Sequence, residues 1–139
     1  LGDEPFCFTY GDGLADIDIG ALRKHHDQSN SMVTLTAVKP PGRYGALNLE
    51  KGYVKSFKEK PDGDNSWING GFFVVNPKAI NYIKSDASVW ETDVLPQLSQ
   101  SNQLSAFPHS GFWQPMDTLR DKNYLEKLWE SGSAPWKLW

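Results

Sequence analysis

Apolar residues along this chain fall into short runs separated by glycine, proline and polar loops. Phe6-Cys7-Phe8-Thr9-Tyr10, Met32–Val38 and Trp67–Val75, the last interrupted by a glycine pair, are rich in aromatic and β-branched residues, which predicts strands buried in a sheet. On that pattern Cys7 reads as a buried, unreactive thiol. Helical spacing appears between the strands. Asp18 is placed to cap a helix running to about His26, with Ile19 and Leu22 as its inner stripe. The adjacent His25 and His26 point to different faces of that helix, so they cannot chelate together, and they read as a solvated helix end. Asn76-Pro77 starts a helix with Ala79, Ile80 and Ile83 inward. Trp90, Val94 and Leu98 recur every four residues in a helix over about Glu91 to Gln100, where Pro96 predicts a kink or a late start.

The remaining chain follows the same logic. Arg43–Leu49 and Tyr53–Lys58 flank Glu50-Lys51-Gly52 and predict a β-hairpin. Leu104–Phe107 reads as a short strand and Phe112–Asp117 as a rigid aromatic connector. Thr118 with Asp121 three residues on fits a capping box for a last helix. Its stripe is Tyr124, Leu125, Leu128 and Trp129, and Gly132 ends it. Strands alternating with helices, with one hairpin inserted, predict an α/β fold: a mixed, mainly parallel sheet with flanking helices.

Composition narrows the partners. The chain has 139 residues, enough for one domain with a core, and a net charge of −3 without a lysine or arginine run. That argues against nucleic acid as a partner. No apolar stretch approaches the ~20 residues of a membrane span. A single cysteine suits a reducing cytoplasm. Three of the six tryptophans crowd the end of the chain, where they suggest contact with another subunit or packing on the same chain.

Candidate chemistry sits where strands end. Asp12 lies between Gly11 and Gly13 at the carboxyl end of the first strand, where open α/β sheets bind ligands, although a plain Asp-Gly turn explains it equally well. Glu59-Lys60-Pro61 ends the hairpin, with a lysine able to reach a phosphate or simply to sit in water. Asn69-Gly70-Gly71 offers an amide suited to sugar hydroxyls, or a β-bulge. Asp117 stands just outside a helix start, as a cap or as a ligand. Two carboxylates facing one cavity suit Mg2+, which takes few carboxylates together with water and phosphate oxygens.

In this order, Tyr10-Gly11-Asp12-Gly13, Arg43-Tyr44-Gly45-Ala46-Leu47, Glu59-Lys60-Pro61, Asn69-Gly70-Gly71-Phe72-Phe73-Val74 and Trp113-Gln114-Pro115-Met116-Asp117-Thr118 resemble the sugar-1-phosphate nucleotidylyltransferases. Phe112–Asp121 and Ala134–Lys137 resemble the cytidine-using branch of that family. The resemblance implies a Rossmann-like nucleotide-diphospho-sugar transferase fold, of which residues 1–139 would be the sugar-phosphate- and metal-binding C-terminal half. The family's Gly-Gly-x-Gly-Thr-Arg-Leu loop for the triphosphate is not in this sequence, so the chain alone is expected to turn over little or nothing. The first strand is then expected to lack a neighbour. The implied reaction is CTP + α-glucose 1-phosphate → CDP-glucose + pyrophosphate, for surface-polysaccharide sugars, by a cytoplasmic homo-oligomer.

Residue by residue, the resemblance implies that Asp12 and Asp117 hold Mg2+ and that Lys60 meets the sugar phosphate. Gly11 would approach the nucleotide. Tyr44, Gly45, Glu59 and Asn69 would bind the sugar, and Trp113 would wall the pocket. The family often has Asp-Thr-Gly or Asp-Gly-Thr where this chain has Asp117-Thr118-Leu119, which leaves the acid itself in place. The alternatives are a pyrophosphorylase for uridine or thymidine nucleotides, a non-catalytic sugar-phosphate-binding module, and an assembly module.

Overall fold

The structure is a computed structural model that describes residues 2–40, 46–50, 53–58 and 67–139, with backbone only for 46–50 and 53–58. Its strands are β1 (Phe6–Thr9), β2 (Gly13–Ala15), β3 (Val33–Val38), β4 (Ala46–Glu50), β5 (Tyr53–Lys58), β6 (Ile68–Val75), β7 (Leu104–His109) and β8 (Trp113–Pro115). Its α-helices are α1 (Ile19–Ser29), α2 (Leu95–Gln100) and α3 (Leu119–Glu130). Residues Pro77–Tyr82 form a 3-10 helix and Trp90–Val94 a π turn.

Four strands form the main sheet in the order β1-β6-β3-β7. β3 is central and buried along nearly its whole length, as an apolar run covered on both faces must be. Val33, Phe73 and Val75 meet Ala79, Val94, Leu95 and Leu98 on one face, while Val74 meets Ile17 and Leu22 of the α1 side on the other. The sheet is mixed, as expected, but not mainly parallel within these strands. β3–β7 is parallel, whereas β1–β6 and β3–β6 are antiparallel. β6 therefore runs against both of its partners. β4 and β5 form the expected antiparallel hairpin.

Caps fix the helices. Asp18 Oδ1 accepts from Ala21 N at 2.9 Å, and Asn30 in the left-handed region (φ 53°) ends α1. Thr118 and Asp121 form the reciprocal box at the start of α3, and Gly132 (φ 72°) follows its end. Pro96 falls in the first turn of α2, preceded by the π turn, in which Leu95 N donates to Trp90 O. A proline cannot donate to an α-helical ladder, so the regular helix begins only at Leu95.

Three further expectations are corrected. β1 is not buried: it lies at the sheet edge with β6 on one side and, among the described residues, no strand on the other. Cys7 is therefore exposed. His26 is not a solvated helix end but 5 % exposed, with Nδ1 2.8 Å from Thr34 Oγ1, while His25 lies edge-on to Phe107. They do face different neighbours. The α3 stripe is also narrower than its spacing suggests, since Leu125 is buried but Tyr124 and Trp129 are exposed. Among the described residues no helix is long and apolar enough to cross a membrane.

Candidate functional site

β1 ends at Thr9, and Gly11-Asp12 turn the chain into β2. β2 pairs antiparallel with β8, Gly13 opposite Pro115 and Ala15 opposite Trp113. Met116 N extends the ladder by donating to Asp12 O at 2.7 Å. Asp117 follows at once, so both predicted acids stand at the same end of one short ladder. Both are exposed, and neither carboxylate has a hydrogen-bond partner among the described residues. The capping role open to Asp117 is taken by others. Asp121 accepts from Thr118 N at 3.0 Å, Thr118 Oγ1 at 2.8 Å and Gln114 Nε2 at 3.1 Å.

Asn69-Gly70-Gly71 lines the same place. Register along β3–β6 jumps from Leu35↔Phe73 to Ala37↔Asn69, so three β6 residues stand against Thr36 in a bulge. Trp113 Nε1 donates to Gly70 O at 2.8 Å, which ties β8 to the bulge. Tyr10 N donates to Gly71 O at 2.9 Å. Gly71 has φ +78°, and a Cβ there would lie 2.8 Å from Tyr10 Cδ2. The bulge reading of the motif holds: the glycines build it, and it sets Asn69 beside Tyr10, which leads into the Asp12 turn. Asn69 Oδ1 accepts from Gly71 N at 3.0 Å and Nδ2 donates to Tyr10 Oη at 3.2 Å. One N–H and one lone pair of the amide are left for a ligand.

Two residues outside the expected set complete the site. Tyr10 donates its phenol proton to Glu91, on the π turn. Burial, then the Glu91 hydrogen bond, hold the Tyr10 pKa well above its ordinary value of 10, and the Asp12 charge adds to this. Tyr10 stood inside a quoted motif, but an apolar run gives a tyrosine no separate signal. Glu91 lies far along the chain in a helix whose carboxylates look merely capping. Of the residues expected at the site, Gly11, Asp12, Asn69, Trp113 and Asp117 are brought together. Tyr44, Gly45, Glu59 and Lys60 lie outside the described residues.

A carboxylate pair, a bulged amide and an indole thus stand together at these strand ends. The nucleotidyl transferase family model matches residues 1–127. The chain belongs to the nucleotidyl transferase family. This nucleotidyl transferase is 59 % identical over 137 residues to glucose-1-phosphate cytidylyltransferase of Salmonella typhi, covering 99 % of this chain and 53 % of that protein. The figures are the same for glucose-1-phosphate cytidylyltransferase of Salmonella typhimurium strain LT2. The chain thus spans about half the length of the curated relatives it matches. Among solved structures, HddC from Yersinia pseudotuberculosis aligns over 86 % of this chain and 53 % of its own, with a TM-score of 0.56 and 22 % identity, a likeness of fold.

Proposed function

We propose that this nucleotidyl transferase chain is the sugar-phosphate- and cation-binding half of a glucose-1-phosphate cytidylyltransferase, making CDP-glucose and pyrophosphate from CTP and α-glucose 1-phosphate. The observation that carries the reading is the Met116 N to Asp12 O bond, which sets Asp12 and Asp117 at one ladder end. The identity to the Salmonella proteins favours cytidine over uridine or thymidine.

Two exposed carboxylates without side-chain partners among the described residues fit Mg2+, which binds one or two acids and takes its other ligands from water and phosphate. No cage of three His, Cys, Asp or Glu side chains occurs among the described residues, so a cation here depends on the substrate's own oxygens. When bound, it would neutralise phosphate charge. Asp12 and Asp117 are its ligands in this reading. Asn69 hydrogen-bonds the sugar, Trp113 walls it, and Gly11 leaves room for the nucleotide, since a Cβ there would meet nothing within 4 Å. Lys60, with Glu59, Tyr44 and Gly45, is assigned to the sugar phosphate and ring from the motif alone.

A phosphate oxygen of glucose 1-phosphate forms a bond to the α-phosphorus of CTP, and the bond to the pyrophosphate oxygen breaks. Alignment and charge neutralisation are what the protein contributes to such a transfer. The reading places the protein in the cytoplasm, as a homo-oligomer.

The test is a paired assay with CTP, glucose 1-phosphate and Mg2+. This chain alone is expected to form almost no CDP-glucose. A chimaera in which it replaces the matching residues of the Salmonella typhi relative is expected to form it at enzymatic rates. Ordinary turnover by the chain alone, or an inactive but folded chimaera, contradicts the proposal.

A further inference from the structure

Glu91 belongs to none of the motifs that define the site, yet its carboxylate receives the Tyr10 phenol proton. We propose that Glu91 is a positioning residue: through Tyr10 it holds the side-chain amide of Asn69 in one orientation for the sugar. The inference rests on the reading of Asn69 as a sugar-binding residue.

The two ends of an asparagine amide have the same shape, so an isolated side chain can turn over and exchange its donor for its acceptor. Here the contacts are directional. Gly71 N is a backbone N–H and can only donate, so the group 3.0 Å away is Oδ1. Nδ2 then faces Tyr10 Oη at 3.2 Å and donates to it. That contact holds only while the phenol oxygen accepts and its own proton points elsewhere. A carboxylate can only accept, so Glu91 draws that proton to itself. The order of donation runs from Asn69 to Tyr10 to Glu91. Without Glu91 the phenol is free to donate back to Asn69, which favours the reversed amide and sets the phenol against Gly71 N for the same oxygen.

The local backbone supports this role. Glu91 sits on the π turn, a rare widened turn frequently found at functional sites. Trp90 anchors the turn edge-on to Phe8 at 5.9 Å and Phe73 at 6.0 Å. Tyr10 is held on the other side by the same Phe73 ring at 5.4 Å and by the Gly71 backbone. Donor and acceptor are therefore fixed from both ends of the relay.

The test uses the chimaera with the Salmonella typhi relative. Tyr10→Phe and Glu91→Ala are each expected to raise the KM for glucose 1-phosphate roughly tenfold, the scale of one lost hydrogen bond. kcat and the KM for CTP should stay within about twofold, since those contacts are untouched. Glu91→Gln should restore most of the loss, because its carbonyl oxygen still accepts from the phenol. The double variant should be no worse than either single one. A raised KM in Asn69→Ala with unchanged KM in Tyr10→Phe and Glu91→Ala overturns the relay and leaves the sugar reading standing. An unchanged KM in Asn69→Ala overturns the sugar reading, and the relay with it. A Glu91→Gln variant as impaired as Glu91→Ala, with kcat falling alongside, marks a merely structural role and also overturns the relay. Independently of activity, the Asn69 side-chain amide in a 15N NMR spectrum of this chain should be ordered in the unaltered chain and in Glu91→Gln, and mobile in Glu91→Ala and Tyr10→Phe. Identical Asn69 signals in all four contradict the proposal.

Discussion

Single residues at the candidate site are tied closely into the fold, which makes their substitution informative. Gly71 has φ +78°, and a Cβ there would come within 2.8 Å of the Tyr10 ring. Gly71→Ala is therefore expected to cost about 1–3 kcal/mol, as backbone strain of this kind does, and to lower Tm by several degrees in a thermal melt. An unchanged melt would mean that the bulge relaxes freely. Tyr10 gives a second test. Burial and Glu91 favour its neutral form, so its contribution to stability is complete below the unfolded value near 10 and is lost as pH rises toward the higher folded value. In a 295 nm titration of the folded chain, the signal lost on Tyr10→Phe should belong to a tyrosine that ionises well above pH 10. An ionisation near pH 10 would remove the phenol–carboxylate contact from the account. Asp12 and Asn69 were marked in the sequence by the glycines beside them, although a turn and a bulge explained each until the family resemblance was weighed. Glu91 was not, because nothing in a carboxylate near a helix start announces a partner on another strand.

At the scale of elements, the caps and the β4–β5 hairpin were readable and the β2–β8 ladder was not. Asp18, Asn76 and Thr118 act within three residues of themselves, so local chemistry alone names them. The β2–β8 ladder joins two three-residue strands from opposite ends of the chain, too short for any period to show. It nevertheless decides where Asp117 stands. The α1 contact with the sheet was misread for the opposite reason: a histidine pair looks polar. His26 is in fact the end of a buried chain of hydrogen bonds through Thr34 Oγ1 at 2.8 Å and on to Ser105 Oγ at 2.7 Å, joining α1, β3 and β7. Burial lowers the His26 pKa below its ordinary 6.5, so the neutral ring is the folded form. Its contribution to stability is complete above about pH 6.5 and is lost as pH falls toward the lower folded value. The urea midpoint should drop between pH 7 and pH 5, and His26→Gln, which keeps a polar group but cannot titrate, should flatten part of that drop. An equal slope in the variant would assign the acid sensitivity to other groups.

Among the described residues two apolar surfaces face water, and they predict different behaviour. One is the β1 edge, where Phe8 is 38 % exposed and a cavity of about 410 Å³ is lined by Phe6, Phe8, Val75, Ile80, Ile83 and Trp90. The other surrounds α3 and the tail. There Trp136 packs on Phe112 at 5.5 Å and Lys137 Nζ lies 4.9 Å from the Trp129 ring, while Trp139 stays 82 % exposed. The tail tryptophans thus divide between packing on their own chain and facing solvent. An unpaired strand edge offers backbone donors and acceptors as well as side chains, whereas the tail offers side chains alone. The edge should therefore dominate self-association of this chain. Phe8→Lys removes about 1.5–3 kcal/mol of apolar burial at such a contact and adds a charge to the edge, which weakens association roughly tenfold or more. Trp139→Ser should change it little. Light scattering over a concentration series reads both variants against the unaltered chain. If Trp139→Ser disperses the chain and Phe8→Lys does not, the tail is the subunit contact and the β1 edge is shielded by its own backbone twist.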